Sequence, residues 1–292
     1  MSVVWGIVGR NLRLFFRDRL NVFFSLLGAV ILFGLYTLFL GNLQTAGLAE
    51  SLPGASTAEV QAFVDSWMFA GIVLITTVTT GLGGLAVIVD DDQSGRFRDF
   101  LVSPLRRSQL VLGYLLSAAV VALVLSVVVL GVSILYLGAL RGTWLSAAAV
   151  ARSFAIVVLS CASFTALSAL IVSFVRTNGA FSGLATIVGT VLGFIAAAYI
   201  PIGVFPEGVA NVVAALPFAQ AGMLLRREFS DQTMAAMTAD APDAAEPLRA
   251  MYGLDLYVGD WAVPAWFVIV VLVGMLLVFA ALSAGRTRRR IR

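Results

Sequence analysis

Long apolar runs are the feature that most constrains how this chain can fold. Six of them reach or exceed the ~20 residues that a helix needs to cross the hydrocarbon core of a bilayer. In that core every backbone N–H and C=O must be satisfied within the protein, and runs of this length favour helices over barrel strands. The six predicted spans are residues 21–40, 66–89, 110–137, 147–175, 181–200 and 261–284.

The composition excludes several kinds of chemistry. The chain is 60% hydrophobic and 12% charged, about half the charged fraction of a soluble domain. All 19 basic residues are arginine, so the chain cannot contain the lysine-bearing loop that cradles nucleotide phosphates, and any ATP it uses must be hydrolysed by a partner. Histidine is absent and Cys161 is the single cysteine. We therefore expect no metal site and no internal disulfide.

The arginines predict the orientation of the spans. With the N-terminus inside, fourteen arginines fall in inner segments and five in outer ones, which is the excess that the positive-inside rule requires. The inner ones are Arg10, Arg13, Arg17, Arg19, Arg96, Arg98, Arg106, Arg107, Arg176, Arg286, Arg288, Arg289, Arg290 and Arg292, and the outer ones are Arg141, Arg152, Arg226, Arg227 and Arg249. Both termini and residues 90–109 are thus expected in the cytoplasm.

Two further segments have their own patterns. Residues 1–20 alternate apolar residues with arginines at roughly helical spacing, which predicts an amphipathic helix in the membrane interface; a plain basic flank of the first span is the alternative. After the fifth span, Pro201, Pro206 and Pro217 divide an apolar segment into pieces of about 11 residues or fewer, too short to cross. The predicted fold is therefore a single all-α membrane domain with six transmembrane helices, an N-terminal interfacial helix and short re-entrant-like helices in an external segment, residues 201–260.

The spans offer little for catalysis or proton transport. Arg152 and Arg176 lie near span ends, where a long side chain can reach an interface, and the acids lie in loops. Proton-driven carriers and intramembrane proteases depend on acids or histidines at mid-membrane depth. The pattern weighs against both classes and against a membrane-embedded enzyme, but it leaves a channel open.

The most charged internal segment is residues 90–109, in which three aspartates lead into a basic and aromatic stretch. Phe97, Phe100 and Leu101 stand at helical spacing between charges and predict a short helix with an apolar ridge, bounded by Pro104. A ridge rimmed by arginines can dock a partner or lie on the membrane surface. A third interpretation is that the aspartates only solvate a helix end.

This segment resembles the cytoplasmic loop of type-2 ABC exporter permeases. The resemblance rests on the acids, then Gly95, then FLVSPLRR from Phe100 to Arg107, which leads directly into a long hydrophobic helix. It extends to the N-terminal amphipathic helix, the six spans and the proline-punctuated segment after the fifth span, where Phe205-Pro206 and Leu216-Pro217 stand at family-like positions.

The resemblance implies a permease in the cytoplasmic membrane, with two copies or a pair of different permeases forming a pathway. Two ABC ATPase subunits would bind below and carry the ATP and Mg²⁺, while this chain would bind no cofactor, metal or nucleic acid and would contact lipids. The residues expected to contact the ATPase are Arg13, Arg17, Asp92, Gly95, Arg96, Phe97, Phe100, Leu101 and Pro104.

One sequence does not show which face of each helix lines the pathway, so the pathway residues are a broader set of candidates. The candidates for the pathway and its outer gate are Thr76, Thr80, Phe194, Tyr199, Phe205 and Pro206. For the threonines, packing between helices is the alternative, because their hydroxyls can bond back to the helix. The implied function is outward export of an apolar or amphipathic molecule such as a drug, lipid or peptide. Polysaccharide or glycolipid export and a non-ABC channel or secondary carrier are the rival functions.

Overall fold

The structure is a computed structural model that describes residues 2–96 and 107–290, apart from the side chains at 2, 107 and 287–290. The helices in chain order are α1 Ser2–Arg17, α2 Arg19–Leu35, α3 Gly41–Ser51, α4 Thr57–Gly84, α5 Ala86–Gln93, α6 Arg107–Arg141, α7 Ala147–Val172, α8 Asn178–Ile195, α9 Glu207–Ala215, α10 Pro217–Met237, α11 Ala245–Met251 and α12 Ala265–Arg290. A π-helical turn, Tyr36–Leu40, joins α2 to α3. Two-residue strands, β1 Tyr257–Val258 and β2 Trp261–Ala262, pair antiparallel.

The prediction of an all-α membrane protein with six spans is confirmed. Within the described ranges, six helical stretches are long and apolar enough to cross a membrane: Arg19–Ser51, Thr57–Gln93, Ser108–Arg141, Ala147–Val172, Asn178–Ile195 and Ala265–Arg286. Residues 2–17 do form a helix, α1, but its place in the membrane interface stays a prediction.

Side-chain caps explain where several helices begin. Asp18 accepts hydrogen bonds from the backbone N–H groups of Leu20 and Asn21 at the start of α2. Ser56 and Glu59 form a reciprocal capping box at the start of α4. The side chains of Ser146 and Thr177 each accept one backbone N–H, from Ala149 and Ala180, at the starts of α7 and α8. Each cap satisfies N–H groups that the first turn of a helix leaves without a partner.

Helix α4 is the centre of the bundle. It packs against α6, α10, α2 and α7, and its side chains are mostly buried from Val60 to Gly84. We call the end where α4 finishes and α8 begins the Asp91 end. The other end, where α4 and α7 begin, is the Asp65 end.

Several predicted boundaries are wrong. The segment between the first two predicted spans, residues 41–65, is helical through Ser51 and again from Thr57. The fifth span stops at Ile195 rather than at residue 200, because the chain turns at Ala196–Tyr199. The sixth begins at Ala265, since Trp261 and Ala262 belong to β2.

The external segment differs from the prediction in the length of its second helix, while its re-entrant arrangement stays a prediction. The pieces after the prolines were expected to be too short to cross, yet α10 has 21 residues and continues through the charged residues Arg226, Arg227 and Glu228. It packs against α4 and α7. It follows α9 at a bend of 84°, an arrangement of a broken span or a re-entrant loop. The charges misled the prediction because each has a tertiary partner that the sequence does not show.

The contact between α4 and α6 depends on a glycine and gives the first test. A Cβ added at Gly84 would lie 2.9 Å from the Ala118 Cα atom, so a side chain there forces the two helices apart. We expect Gly84→Val to lower the free energy of unfolding by about 1–3 kcal/mol, measured as a lower Tm in detergent. Gly131→Val, on the open side of α6 with no atom within 4 Å, is the matched control. Equal Tm values for the two variants would contradict this packing.

Candidate functional site

A buried carboxylate joins three elements at the Asp91 end. Asp91 of α5 is 0% exposed. Its Oδ2 and Oδ1 atoms accept hydrogen bonds from Nη1 and Nη2 of Arg10 at 2.5 and 2.8 Å. The Tyr114 hydroxyl of α6 donates to Oδ2, and Arg96 Nη1 donates to Oδ1 at 3.1 Å. We call Arg10, Asp91, Arg96 and Tyr114 the Asp91 cluster.

Packing of α1 on α6 brings Arg10 to this carboxylate. Ile7 lies against Gly113, where an added Cβ would come within 2.6 Å of Ile7 Cγ2. One residue beyond Arg10, the Asn11 side chain donates to the Ser117 hydroxyl at 3.1 Å. The hydrogen bonds with Asp91 raise the pKa of Arg10 above its usual value, although burial opposes this. The guanidinium therefore stays charged.

Asp90 and Gln93 of α5 bind the start of α8. Asp90 Oδ1 accepts from the Asn178 side chain at 2.7 Å, and Gln93 Oε1 accepts from the Asn178 backbone N–H at 3.1 Å. Thus one eight-residue helix contacts the N-terminal helix and the starts of the third and fifth spans. Hydrogen bonds of α5 therefore connect these three elements at this end.

Some of the residues predicted to contact the ATPase lie within the described ranges, and the others lie outside them. Among the described ones, Arg13 and Arg17 are exposed on α1, Asp92 is half-buried on α5, and Gly95 has φ +76°, a conformation that favours glycine. Arg96 belongs to the Asp91 cluster, with its side chain 53% exposed. The rest of the set, Phe97, Phe100, Leu101 and Pro104, lies outside the described residues.

Sequence reasoning missed three members of this cluster. It selected Asp92 from the three aspartates, whereas Asp91 is the one that is buried. It left Arg10 among the general basic residues of α1. It also passed over Tyr114. A tyrosine in an apolar run has a hydroxyl that needs a hydrogen-bond partner, so Tyr114 is the residue from which this cluster could have been predicted.

The pathway candidates lie in different environments. Thr76 and Thr80 are wholly buried inside α4, and their hydroxyls donate to the carbonyls of Ile72 and Thr76 on the same helix. This is the packing role that the sequence left as the alternative. Phe194 is 47% exposed and makes an edge contact with the half-buried Tyr199.

Helix α8 is the least enclosed of the described spans, and its outward face mixes small and hydroxyl residues with the large apolar residues Ile187 and Val191. Gly183, Thr186, Thr190 and Phe194 are exposed, and the threonine hydroxyls donate to carbonyls of their own helix at 2.9 Å. Phe205 is half-buried and Pro206 exposed in the link to α9. The exposed pathway candidates therefore gather at and just beyond α8.

Comparison with known families agrees with this architecture. Residues 42–284 match the family described as "ABC-2 family transporter protein". The chain belongs to the ABC-2 transporter family. It is thus a multi-pass membrane subunit of an ABC transporter, and the family resemblance predicted from the sequence is confirmed. No curated protein matches the sequence significantly.

In this ABC-2 permease, the match leaves out α1 and α2 and includes α4 to α11 in full. The Asp91 cluster therefore joins a helix outside the matched region to the family domain. The family implies partnership with an ABC ATPase subunit. The Asp91 cluster holds α1 and Arg96 close together at one end of the bundle.

The Asp65 end carries an ion-pair network of its own. Arg141 pairs with Asp65, and Arg152 with Glu228. Asp255 accepts from Arg227 at 2.5 Å and from Arg249 at 2.6 Å. Burial opposes ionisation of Asp255, but the bonds and charges of Arg249 and Arg227 outweigh it and hold the pKa of this carboxyl below its ordinary value.

The Asp91 cluster gives a stability prediction. Arg10→Gln leaves the buried Asp91 carboxylate without its bidentate partner, and the loss of these charge-assisted hydrogen bonds costs about 1–3 kcal/mol because Arg96 and Tyr114 remain. We expect a marked fall in Tm in detergent. Arg13→Gln, on the exposed side of the same helix, should change stability by less than about 0.5 kcal/mol. Matching Tm values for the two variants would show that the ion pair does not hold α1 in place.

The Asp255 network gives a prediction of pH dependence. Because the folded pKa lies below the unfolded value of ~3.9, the carboxylate stabilises the fold fully above that pH and loses this effect as the pH falls through the folded pKa. Asp255→Asn should lower stability by about 1 kcal/mol at pH 7. Its Tm difference from wild type should shrink between roughly pH 5 and pH 3.

Thermal melts of both proteins across that range measure the effect. The exposed Asp260 supplies the control variant Asp260→Asn. A Tm difference between wild type and Asp255→Asn that grows as the pH falls would contradict the proposed ionisation.

Proposed function

We propose that this chain is the permease subunit of an ATP-driven exporter, which moves an apolar or amphipathic molecule outward across the cytoplasmic membrane by alternating access. ATP and Mg²⁺ bind to a separate ABC ATPase subunit. The observation that carries the proposal is the Asp91 cluster. Its one carboxylate holds both α1 and Arg96, the last residue before the segment in which the coupling ridge is predicted.

Force from the ATPase enters through two elements. One is the exposed face of α1 with Arg13 and Arg17, and the other is the ridge of Phe97, Phe100 and Leu101. Because α1 and Arg96 share a buried acid, a push on either moves α5 and the connected starts of α6 and α8. ATP binding then stabilises one of two arrangements of the membrane helices.

The pathway is proposed to lie between two permease copies along the outward face of α8. Exposed Gly183, Thr186 and Thr190, beside the apolar Ile187 and Val191, suit an interface between helices, where small residues let backbones approach closely. Phe194 and Tyr199 stand near its end, with Phe205 and Pro206 beyond, as residues of the outer gate. The second copy is either identical or a related permease.

One feature supports the proposed orientation, with the Asp91 end in the cytoplasm, and a second supports the placement of the bundle across a bilayer. The excess of arginines falls on that side. Exposed tryptophans lie toward both ends of the bundle, Trp5 on α1 and Trp144, Trp261 and Trp266 at the Asp65 end, as expected for side chains that settle at membrane interfaces.

The test starts with isolation of the membrane complex from its native membrane. A nucleotide-binding subunit should co-purify and hydrolyse ATP; a channel or secondary carrier would be isolated without one. Export of a lipophilic dye from proteoliposomes, set against export of a fluorescent glycolipid, distinguishes the proposed substrate class from the polysaccharide and glycolipid alternative.

The coupling ridge gives the accompanying prediction. Phe100→Asp places a charge on the apolar ridge, so we expect at least a tenfold lower rate of dye export with the same amount of permease in the membrane. Phe100→Leu keeps the ridge apolar and should export at nearly the wild-type rate. Normal ATP hydrolysis and export by Phe100→Asp would contradict ATPase docking at this ridge.

A further inference from the structure

Arg226 of α10 is a fully buried cation without an acidic partner. It is 0% exposed, and it makes no ion pair with any residue in the described ranges. Its Nη2 donates to the carbonyls of Ala196 and Ala197 at 2.7 and 2.6 Å. The Nε and Nη1 atoms have no hydrogen-bond partner among the described residues. The Trp67 ring lies 5.5 Å away and provides a cation–π contact.

The two carbonyls belong to the turn at which α8 ends. We call Ala196–Tyr199 the α8 joint. Ala197 has φ +49°, a strained conformation for a residue with a Cβ. The backbone N–H groups of Ala198 and Tyr199 both donate to the Gly193 carbonyl, at 2.8 and 3.1 Å.

Neighbouring helices hold this joint as well. The Tyr36 hydroxyl, in the π-helical turn of the first span, donates to the Tyr199 carbonyl at 3.1 Å. Gly71 of α4 lies so close to Ala198 that an added Cβ would be 3.0 Å from the Ala198 Cβ. The joint is therefore a meeting point of the first, second and fifth spans with α10, and Arg226 supplies the charge at its centre.

Ending a helix with a buried arginine is energetically unfavourable. A buried, unpaired charge opposes folding, whereas a glycine can end a helix without any charge. Residues that break a stability rule in this way are expected at functional positions. The partners also matter, because a hydrogen bond to a backbone carbonyl can be exchanged for one to water at a small net cost. The hydrogen bonds of Arg226 to the two carbonyls are thus stable while water is excluded, and water that enters can replace them.

We propose that Arg226 is a positioning residue of the transport cycle: it holds the α8 joint against α10 while the pathway is closed at the Asp65 end, and it releases the joint when the pathway opens there. The inference rests on the proposed function. Release frees the end of α8, next to Phe194, and exposes the guanidinium to entering water. Arg227, the next residue, has an ordinary role, since it pairs with Asp255 and donates to the Leu254 carbonyl.

The test is hydrogen–deuterium exchange of residues 193–200 in the purified permease–ATPase complex in nanodiscs. In wild type without nucleotide, the N–H groups of Ala198 and Tyr199 should be protected. ATP with vanadate should speed their exchange at least tenfold. Arg226→Met should show the fast exchange without nucleotide, and Arg227→Met should match wild type.

Thermal stability separates this role from a merely structural cap. Arg226→Met removes the unpaired buried charge, so its Tm should equal or exceed that of wild type, while its dye export falls at least tenfold. Arg226→Lys keeps the charge and should restore part of the protection and of the export. If Arg226→Met does not fold, the comparison of Arg226→Lys with wild type takes its place.

The outcomes that overturn the inference are distinct. A complex that hydrolyses ATP normally with unchanged exchange at residues 193–200 overturns this inference alone. A lower Tm in Arg226→Met, with wild-type export by the protein that remains folded, reduces Arg226 to a structural cap. A wild-type complex without ATP hydrolysis overturns the proposed function, and this inference with it.

Discussion

The buried carboxylate of Asp91 is the interaction on which one end of this protein depends. A carboxylate with no solvent contact is stable only when it is paired and hydrogen-bonded, and here two arginines and a tyrosine satisfy it. Since these donors come from α1, from the start of the charged segment and from α6, the requirement of one charge fixes the relative positions of three elements. Apolar packing alone would let helices slide, whereas a bidentate ion pair sets their register.

The two ends of the bundle use arginine in different ways. At the Asp91 end, Arg10 and Arg96 converge on one acid and leave Arg13 and Arg17 exposed for a partner. At the Asp65 end, Arg141, Arg152, Arg227 and Arg249 pair with acids near the surface, and Arg226 alone of the described arginines there is wholly buried. The asymmetry fits the proposed cycle, in which the ATPase acts at the Asp91 end through a paired acid and the pathway opens at the Asp65 end, where Arg226 contacts only backbone carbonyls and an aromatic ring.

Particular residues show where sequence reasoning reached its limit. The six spans were predictable because lipid imposes a length and a composition on any helix that crosses it. Helix α10 was not predictable, because charged residues such as Arg226 and Glu228 are typical of loops. Only the structure shows that Arg226 bonds to the α8 joint and that Glu228 pairs with Arg152. Asp90, Asp91 and Asp92 are equivalent in the sequence, and the orientation of α5 alone makes one of them buried. Thr76 and Thr80 likewise suggested a polar surface, but their own helix satisfies them.

The sequence by itself determined that this is an all-α membrane protein with six spans, a charged segment between the second and third, and a family resemblance to ABC permeases. It also determined that no phosphate-binding lysine loop is present. These conclusions follow from composition, run length and motif order, which are local properties of the chain. Only the tertiary structure decided which acid joins α1 to α5, that α10 packs in the core, and that Arg226 bonds to the carbonyls at the end of α8. Each of these depends on groups far apart in sequence, such as Arg10 and Asp91, whose pairing no local pattern records.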